Sequence, residues 1–270
     1  LIKMIALDLD NTLLNSKMEI SDMNTKILKK LHKQGKKIVL CTGRPINAIW
    51  DWLNQLGLMS EDDYSVNFNG SLIVHNIDKK PLMADGMKRT HFKNLHDFCV
   101  NNNFPLDILD FSGLYPISDL PISGYEKRFG TSLRAAYTPF FKLPEVDYSK
   151  AVICTEPATI DQIVKTLPKQ LKEDFHIVRS QPMILEFLKP GIDKGSALDL
   201  LLRHFEWTRE NLMTFGDAEN DLEMLASAGI GVSMANGTPE AKQTANHVTA
   251  LDNNHDGVAD FLETYFATND

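Results

Sequence analysis

Residues 2–13 read Ile-Lys-Met-Ile-Ala-Leu-Asp-Leu-Asp-Asn-Thr-Leu, and the step from apolar to acidic within them frames the rest of the chain. Ile2–Leu9 is a short apolar run, the pattern of a strand buried on both faces rather than on one. It ends in Asp8-Leu9-Asp10. Residues two apart on a strand face the same way, so both carboxylates start on one side as the chain leaves the sheet. In open α/β sheets ligands bind outside the carboxyl ends of the strands. Two readings are open for the pair taken alone. It caps a turn, or it holds a hard cation and supplies a nucleophile and a proton shuttle.

The same grammar recurs along the first and last parts of the chain. Ser21–Gly35 has helical spacing, with Ser21 as N-cap and Gly35 as stop. Lys36–Cys41 is a second apolar run, followed by a helix from Pro45 to Leu56. Val66–Asn69 and Ser71–Asn76 read as strands flanking Gly70. Beyond residue 190, helix Lys194–Phe205, strand Met213–Phe215, helix Glu219–Ala228, strand Ile230–Met234, helix Thr238–Ala245 and strand His247–Ala250 follow, and a helix near Val258–Phe266 closes the run. Strands alternating with helices predict a Rossmann-like parallel sheet covered on both faces. The middle is different: helix-like stretches near 91–103 and 159–171 are each followed by extended runs, the pattern of an α+β module with a partly antiparallel sheet. A Pro-, Gly- and aromatic-rich stretch from Tyr115 to Pro144 joins its halves. The expected organisation is an α/β core from residues 1–84 and 190–270, interrupted by an inserted α+β domain at 85–189.

Three further clusters sit where a parallel sheet would gather them. Cys41-Thr42-Gly43-Arg44-Pro45 follows the second strand, and a hydroxyl, a glycine and a helix N-terminus together make an anion cradle. Read singly, it is equally an N-capping Thr beside a turn Gly. Phe215-Gly216-Asp217-Ala218-Glu219-Asn220-Asp221 again runs strand, Gly, carboxylate, helix start. Here Asp217 is a candidate to complete a magnesium site with Asp8, Asn220 to bind phosphate, and Asp221 to orient a neighbouring cation. The helix dipole accounts for Glu219 and Glu223 but not for the Gly-Asp step. Lys194, at the start of a helix, sits unfavourably against the positive dipole end unless something anionic lies beside it.

Bulk properties narrow the field. The 270 residues are 43% hydrophobic and 24% charged, ordinary for a globular protein, with a net charge of −8 and pI near 5.5. That balance disfavours a nucleic-acid partner, which needs clustered cations against phosphates. It leaves room for a small phosphorylated ligand. No apolar run approaches the roughly 18 residues of a membrane span, and residues 1–7 lack the layout of a signal peptide. Cys41, Cys99 and Cys154 form no CxxC pair and read as reduced thiols of a cytoplasmic protein.

In this order the four segments, Asp8-Leu9-Asp10-Asn11-Thr12, Thr42, Lys194 and Gly216-Asp217-Ala218-Glu219-Asn220-Asp221, resemble the haloacid dehalogenase-like hydrolase superfamily. Asn69-Gly70, the strip from Gly231 to Asn236, and Asp256-Gly257-Val258-Ala259 resemble its Cof-type sugar-phosphatase branch. Two positions depart from the pattern: Asn11 stands where Gly is commonest, and Ser233-Met234-Ala235-Asn236 replaces the usual Ala-Met-Gly-Asn. The resemblance implies that the insert is a cap domain covering the site. It also implies a Mg²⁺-dependent phosphatase acting on small phosphorylated metabolites, sugar phosphates among them. Asp8 would be the nucleophile, forming an aspartyl-phosphate, and Asp10 the acid/base. Mg²⁺ would be held by Asp8, Asp217 and the Asp10 main-chain carbonyl. Thr42, Gly43, Lys194 and Asn220 would hold the phosphoryl group, with Asp221 in support. A phosphomutase of the same superfamily shares every motif. A non-catalytic phosphate-binding regulator would have lost Asp8 or Asp10, and a receiver-type module would lack the Asp-x-Asp pair and the insert.

Overall fold

The computed structural model describes residues 1–129 and 134–269, so residues 130–133 of the Pro-, Gly- and aromatic-rich stretch lie outside it. The chain divides into two compact units, Leu1–Met83 with Asp193–Asp270, and Ala84–Ile192.

The first unit is built on a five-stranded sheet in the order His247–Val248, Ile230–Ser233, Leu212–Gly216, Met4–Leu7, Lys37–Leu40. Every neighbouring pair is parallel. Strand Met4–Leu7 shows why its sequence does not alternate in polarity. Met4 and Ala6 pack with Leu198, Leu201 and Met224 on one face, whereas Ile5 and Leu7 pack with Ile27, Leu53 and Leu262 on the other. Burying Met4, Ile5 and Leu7 contributes roughly 1.5–3 kcal/mol each, so a polar residue at any of these positions would break a face.

The helices start and stop where local chemistry directs. Asp22–Lys33 is capped by the Ser21 hydroxyl, which accepts from Asn24 N at 3.1 Å, and Gly35 turns the chain with φ of +89°. Lys194–His204 is capped by Asp193, and Pro239–Thr244 by Thr238. From the central strand the chain first adds Lys37–Leu40 on one side and later Leu212–Gly216 on the other. That reversal opens a crevice at the carboxyl ends of Met4–Leu7 and Leu212–Gly216. Tyr64–Asn67 and Leu72–His75 are the two strands flanking Gly70. They form an antiparallel hairpin in a separate three-stranded sheet with Pro81–Ala84, touching the parallel sheet's line through a Cys41–Val66 bridge. Two adjacent strands joined by a tight turn can only pair antiparallel, because a parallel pair needs a crossover.

The second unit carries a six-stranded sheet in the order His176–Gln181, Ile184–Leu188, Tyr148–Cys154, Asp107–Asp110, Gly113–Pro116, Arg134–Ala135. The pairs are antiparallel except Gly113–Pro116 with Arg134–Ala135. Helices Lys93–Asn102, Pro157–Thr166 and Lys169–Asp174 contribute Leu95, Ile160, Ile163 and Leu171 to a core with Ile108, Ala151, Ile153, Leu185 and Phe187. By strand alternation and register, Asp107, Lys150 and Glu186 share the opposite face. The three cysteines are buried and unbridged. No helix among the described residues is long and apolar enough to cross a membrane.

Candidate active site

Asp8 prolongs the central strand, its N–H donating to the Phe215 carbonyl at 2.9 Å. The chain then leaves through a wide turn over Leu9–Leu13, closed by Leu14 N–H to Leu9 O at 2.9 Å. Asn11 within it has φ of +61°. Glycine adopts that conformation freely, and asparagine is among the few other residues that tolerate it, so the departure at this position leaves the turn intact. Leu9 and Leu13 are drawn into the core, which aims Thr12 inward, where its hydroxyl donates to Asp217 Oδ1 at 2.9 Å.

Lys194 is completely buried, and its Nζ donates to Asp8 Oδ1 at 2.5 Å and Asp221 Oδ1 at 2.7 Å. The anionic neighbours that a lysine at a helix N-terminus requires are therefore these two carboxylates. Asp221 Oδ2 accepts from the N–H groups of Asp217 and Ala218 at 2.9 and 3.2 Å. Gly216 makes this possible, since a Cβ there would sit 2.6 Å from the Asp221 Cβ. One oxygen from each of Asp8, Asp217 and Asp221 lies within 4.8 Å of the others.

Three buried carboxylates around one ammonium leave the site with an excess of negative charge. Burial, then Asp221, push the Asp8 carboxyl well above its usual range, with Lys194 opposing. Burial and Asp221 raise Asp217 to about 7, against the Thr12 hydrogen bond. For Lys194, burial works against the charge, but Asp221 and Asp8 outweigh it and keep the group protonated. Both Asp221 oxygens are engaged, whereas Asp8 Oδ2 and Asp217 Oδ2 meet no hydrogen-bond donor among the described residues. Two such oxygens in a cluster with excess negative charge fit a hard divalent cation, which prefers carboxylate and carbonyl oxygen.

Asp10 stands apart from that cluster. Arg44 grips it in a fork, Nε to Oδ2 at 2.9 Å and a terminal nitrogen to Oδ1 at 2.7 Å, and stacks 5.5 Å from the Trp52 ring. The Asp10 side chain thus supplies no oxygen to the carboxylate group. Thr42 is buried, with its hydroxyl accepting from Arg44 N–H at 3.1 Å. Gly43 and Asn220 meet through a residue given no role above, Asn69. Its side chain lies against Gly43 and accepts from Asn220 Nδ2 at 3.2 Å. Thr12, Arg44 and Asn69 were all in quoted motifs. What marked them was their place beside strand ends, but their partners are distant in sequence.

The haloacid dehalogenase-like hydrolase family matches this chain over residues 5–262. YxeH of Bacillus subtilis is 31% identical over 259 residues, covering 95% of this chain and 96% of its own length. The B. subtilis 5-amino-6-(5-phospho-D-ribitylamino)uracil phosphatase YitU is 28% identical over 285 residues, covering 98% and 97%. A crystal structure of a haloacid dehalogenase-like hydrolase from Bacteroides thetaiotaomicron superposes with a TM-score of 0.83 at 30% identity, over 98% of this chain and 100% of that one. The chain belongs to the haloacid dehalogenase-like hydrolases, in their Cof-type branch, and is a phosphatase.

Proposed function

We propose that this haloacid dehalogenase-like phosphatase is Mg²⁺-dependent and hydrolyses small phosphorylated metabolites, sugar phosphates among them, through a phosphoryl group carried on Asp8. The observation that carries the reading is the buried group of Asp8, Asp217 and Asp221 around Lys194 at the carboxyl edge of the sheet. A carboxylate nucleophile repels a phosphate dianion, and phosphoryl transfer depends on neutralising charge and on alignment. A bound divalent cation supplies that neutralisation, and Asp8, Asp217 and the Asp10 main-chain carbonyl are the groups to hold it.

The chain's own residues do the rest. The Asp8 carboxylate forms the bond to phosphorus as the bond to the leaving oxygen breaks, and Asp10 gives that oxygen a proton. Asp10 then takes a proton from water as the water attacks phosphorus and frees the Asp8 carboxylate. Lys194 holds Asp8 in place and offsets charge. Thr42, Gly43 and Asn220 supply donors for the phosphoryl oxygens, and Asp221 fixes Lys194 and the Asp217 backbone. Arg44 donates one hydrogen bond to each Asp10 oxygen, which orients the carboxyl and leaves a second lone pair on each oxygen for the proton. A phosphorylated ribityl compound in the name of YitU supports a small metabolite as substrate.

The test is phosphate release from a panel of phosphorylated metabolites, with Mg²⁺ and with chelator, beside Asp8→Ala. Turnover that depends on Mg²⁺ and vanishes in the variant is the expected outcome. Unchanged turnover in Asp8→Ala would sink the mechanism.

A further inference from the structure

Among the described residues, Phe68, Asn69 and Gly70 form a run of three consecutive residues in positive φ, at +51°, +54° and +108°. For a phenylalanine this is an outlier, of the kind that persists only where surrounding structure over-determines it. The surroundings do so here. Phe68 is fully buried with its N–H directed to the Arg44 carbonyl at 3.4 Å, and Asn69 N–H donates to the Thr42 carbonyl at 3.0 Å. A Cβ on Gly70 would fall 2.2 Å from the Asp193 carbonyl oxygen, just before Lys194. Two of the segments that carry the proposed chemistry therefore touch this one turn.

The Asn69 side chain is what the turn delivers. It is 1% exposed. Its amide nitrogen and oxygen lie 3.1 and 3.3 Å from where a Gly43 Cβ would be, and its oxygen accepts from Asn220 Nδ2 at 3.2 Å. A tight turn that served only the hairpin would need no such side chain. A bare cradle of Thr42, Gly43 and Asn220 would leave the Asn220 amide free to rotate.

We propose that Asn69 is a positioning residue for phosphoryl binding: held in left-handed backbone beside Gly43, it locks the Asn220 amide into one anion-binding arrangement. This rests on the phosphatase reading above. The consequence is a split in kinetics. Loss of Asn69 loosens a binding group but leaves Asp8, Asp10 and Lys194 untouched, so KM rises while kcat stays nearly constant.

Asn69→Gly isolates the side chain, because glycine keeps the positive φ without strain. Inorganic phosphate binding is read by calorimetry, and steady-state kinetics are run with p-nitrophenyl phosphate. Phosphate affinity in Asn69→Gly is expected to fall about tenfold, the scale at which residues supporting a binding group act, with kcat changed by less than about threefold. The double variant Asn69→Gly/Asn220→Ala should bind phosphate no more weakly than Asn220→Ala alone, because Asn69 works through Asn220. Gly43→Ala gives an independent reading should Asn69→Gly fail to fold. Its new Cβ presses on the Asn69 amide and should weaken phosphate binding by a similar factor. Unchanged phosphate affinity in both single variants overturns the proposal, and so does a double variant whose loss is the product of the two single losses. The two levels separate cleanly. A wild-type protein that binds phosphate more tightly than Asn69→Gly but releases none from any ester sinks the catalytic reading and keeps the role of Asn69. Normal turnover with unaltered phosphate affinity in the variants does the reverse.

Discussion

Each unit of the molecule buries one lysine, and the two lysines live in opposite circumstances. Lys150, on the sheet of the second unit, faces Glu186 at 2.7 Å, and the other Glu186 oxygen accepts from Ser180 at 2.6 Å. One cation meets one anion and both carboxylate oxygens are satisfied. Burial works against the Lys150 charge, but Glu186 and Tyr125 outweigh it. Lys194, in the first unit, meets Asp8 and Asp221 with Asp217 beside them, three carboxylates to one ammonium. A balanced buried pair is a finished structural unit. An unbalanced one raises the pKa of its carboxyls, as at Asp8 and Asp217, or takes a cation from outside. The difference separates a strut from a site.

The largest expected effect tests the site as such. Asp8→Ala should lower turnover by about 10⁴-fold or more, the scale on which losing a nucleophile acts, while the urea midpoint of the Lys150 variants below stays the reference for pure structure. Next comes the strut. Lys150→Met alone should cost about 3–5 kcal/mol by urea unfolding, because Glu186 is left charged and buried. Lys150→Met/Glu186→Leu should regain most of that loss. The matching swap in the first unit, Lys194→Met/Asp221→Leu, should not recover, since Asp8 and Asp217 remain and the N–H groups of Asp217 and Ala218 lose their acceptor. Recovery there would erase the distinction between the two lysines.

A smaller effect reads the missing positive charge directly. Mg²⁺ at 100 times its Kd should raise wild-type stability by about 2.7 kcal/mol in thermal unfolding, and Asp217→Asn should lose most of that gain. The smallest effect lies in the second unit, where Asp107 is buried. Burial pushes its pKa up to about 7, partly countered by the Ser123 hydroxyl. The folded state therefore holds this proton more tightly than the unfolded chain does. The stability it costs should appear as pH climbs past about 4 and level off above 7. Asp107→Asn should flatten that slope, a difference on the order of 2 kcal/mol once the site relaxes and admits water. Melting curves from pH 4 to 8 check it, and a decline of equal depth in the variant would place the cause elsewhere.

Local signals carried far in this chain. Ser21 announced a helix start through chemistry that acts within three residues. The apolar run before Asp8 indicated a strand buried on both sides, and Lys194 at a helix start pointed to anions nearby. The apolar runs flanking Gly70 marked two strands but not that they pair antiparallel, because such runs report burial and not the direction of the partner strand.

By itself the sequence determined the elements, the parallel α/β class, and the polar residues gathered at strand ends, since each depends on periodicity, caps and turns a few residues long. Only the tertiary structure decided how those residues are paired. Asp10 went to Arg44 across 34 positions, Asn69 to Asn220 across 151, and Thr12 to Asp217 across 205. The reason is physical. A hydrogen bond between distant segments is set by where the sheet and its turns deliver two side chains, and no local pattern records the partner. The three carboxylates around Lys194 were each visible as an acid in the sequence, but their shared excess of charge arose only when the fold brought them together.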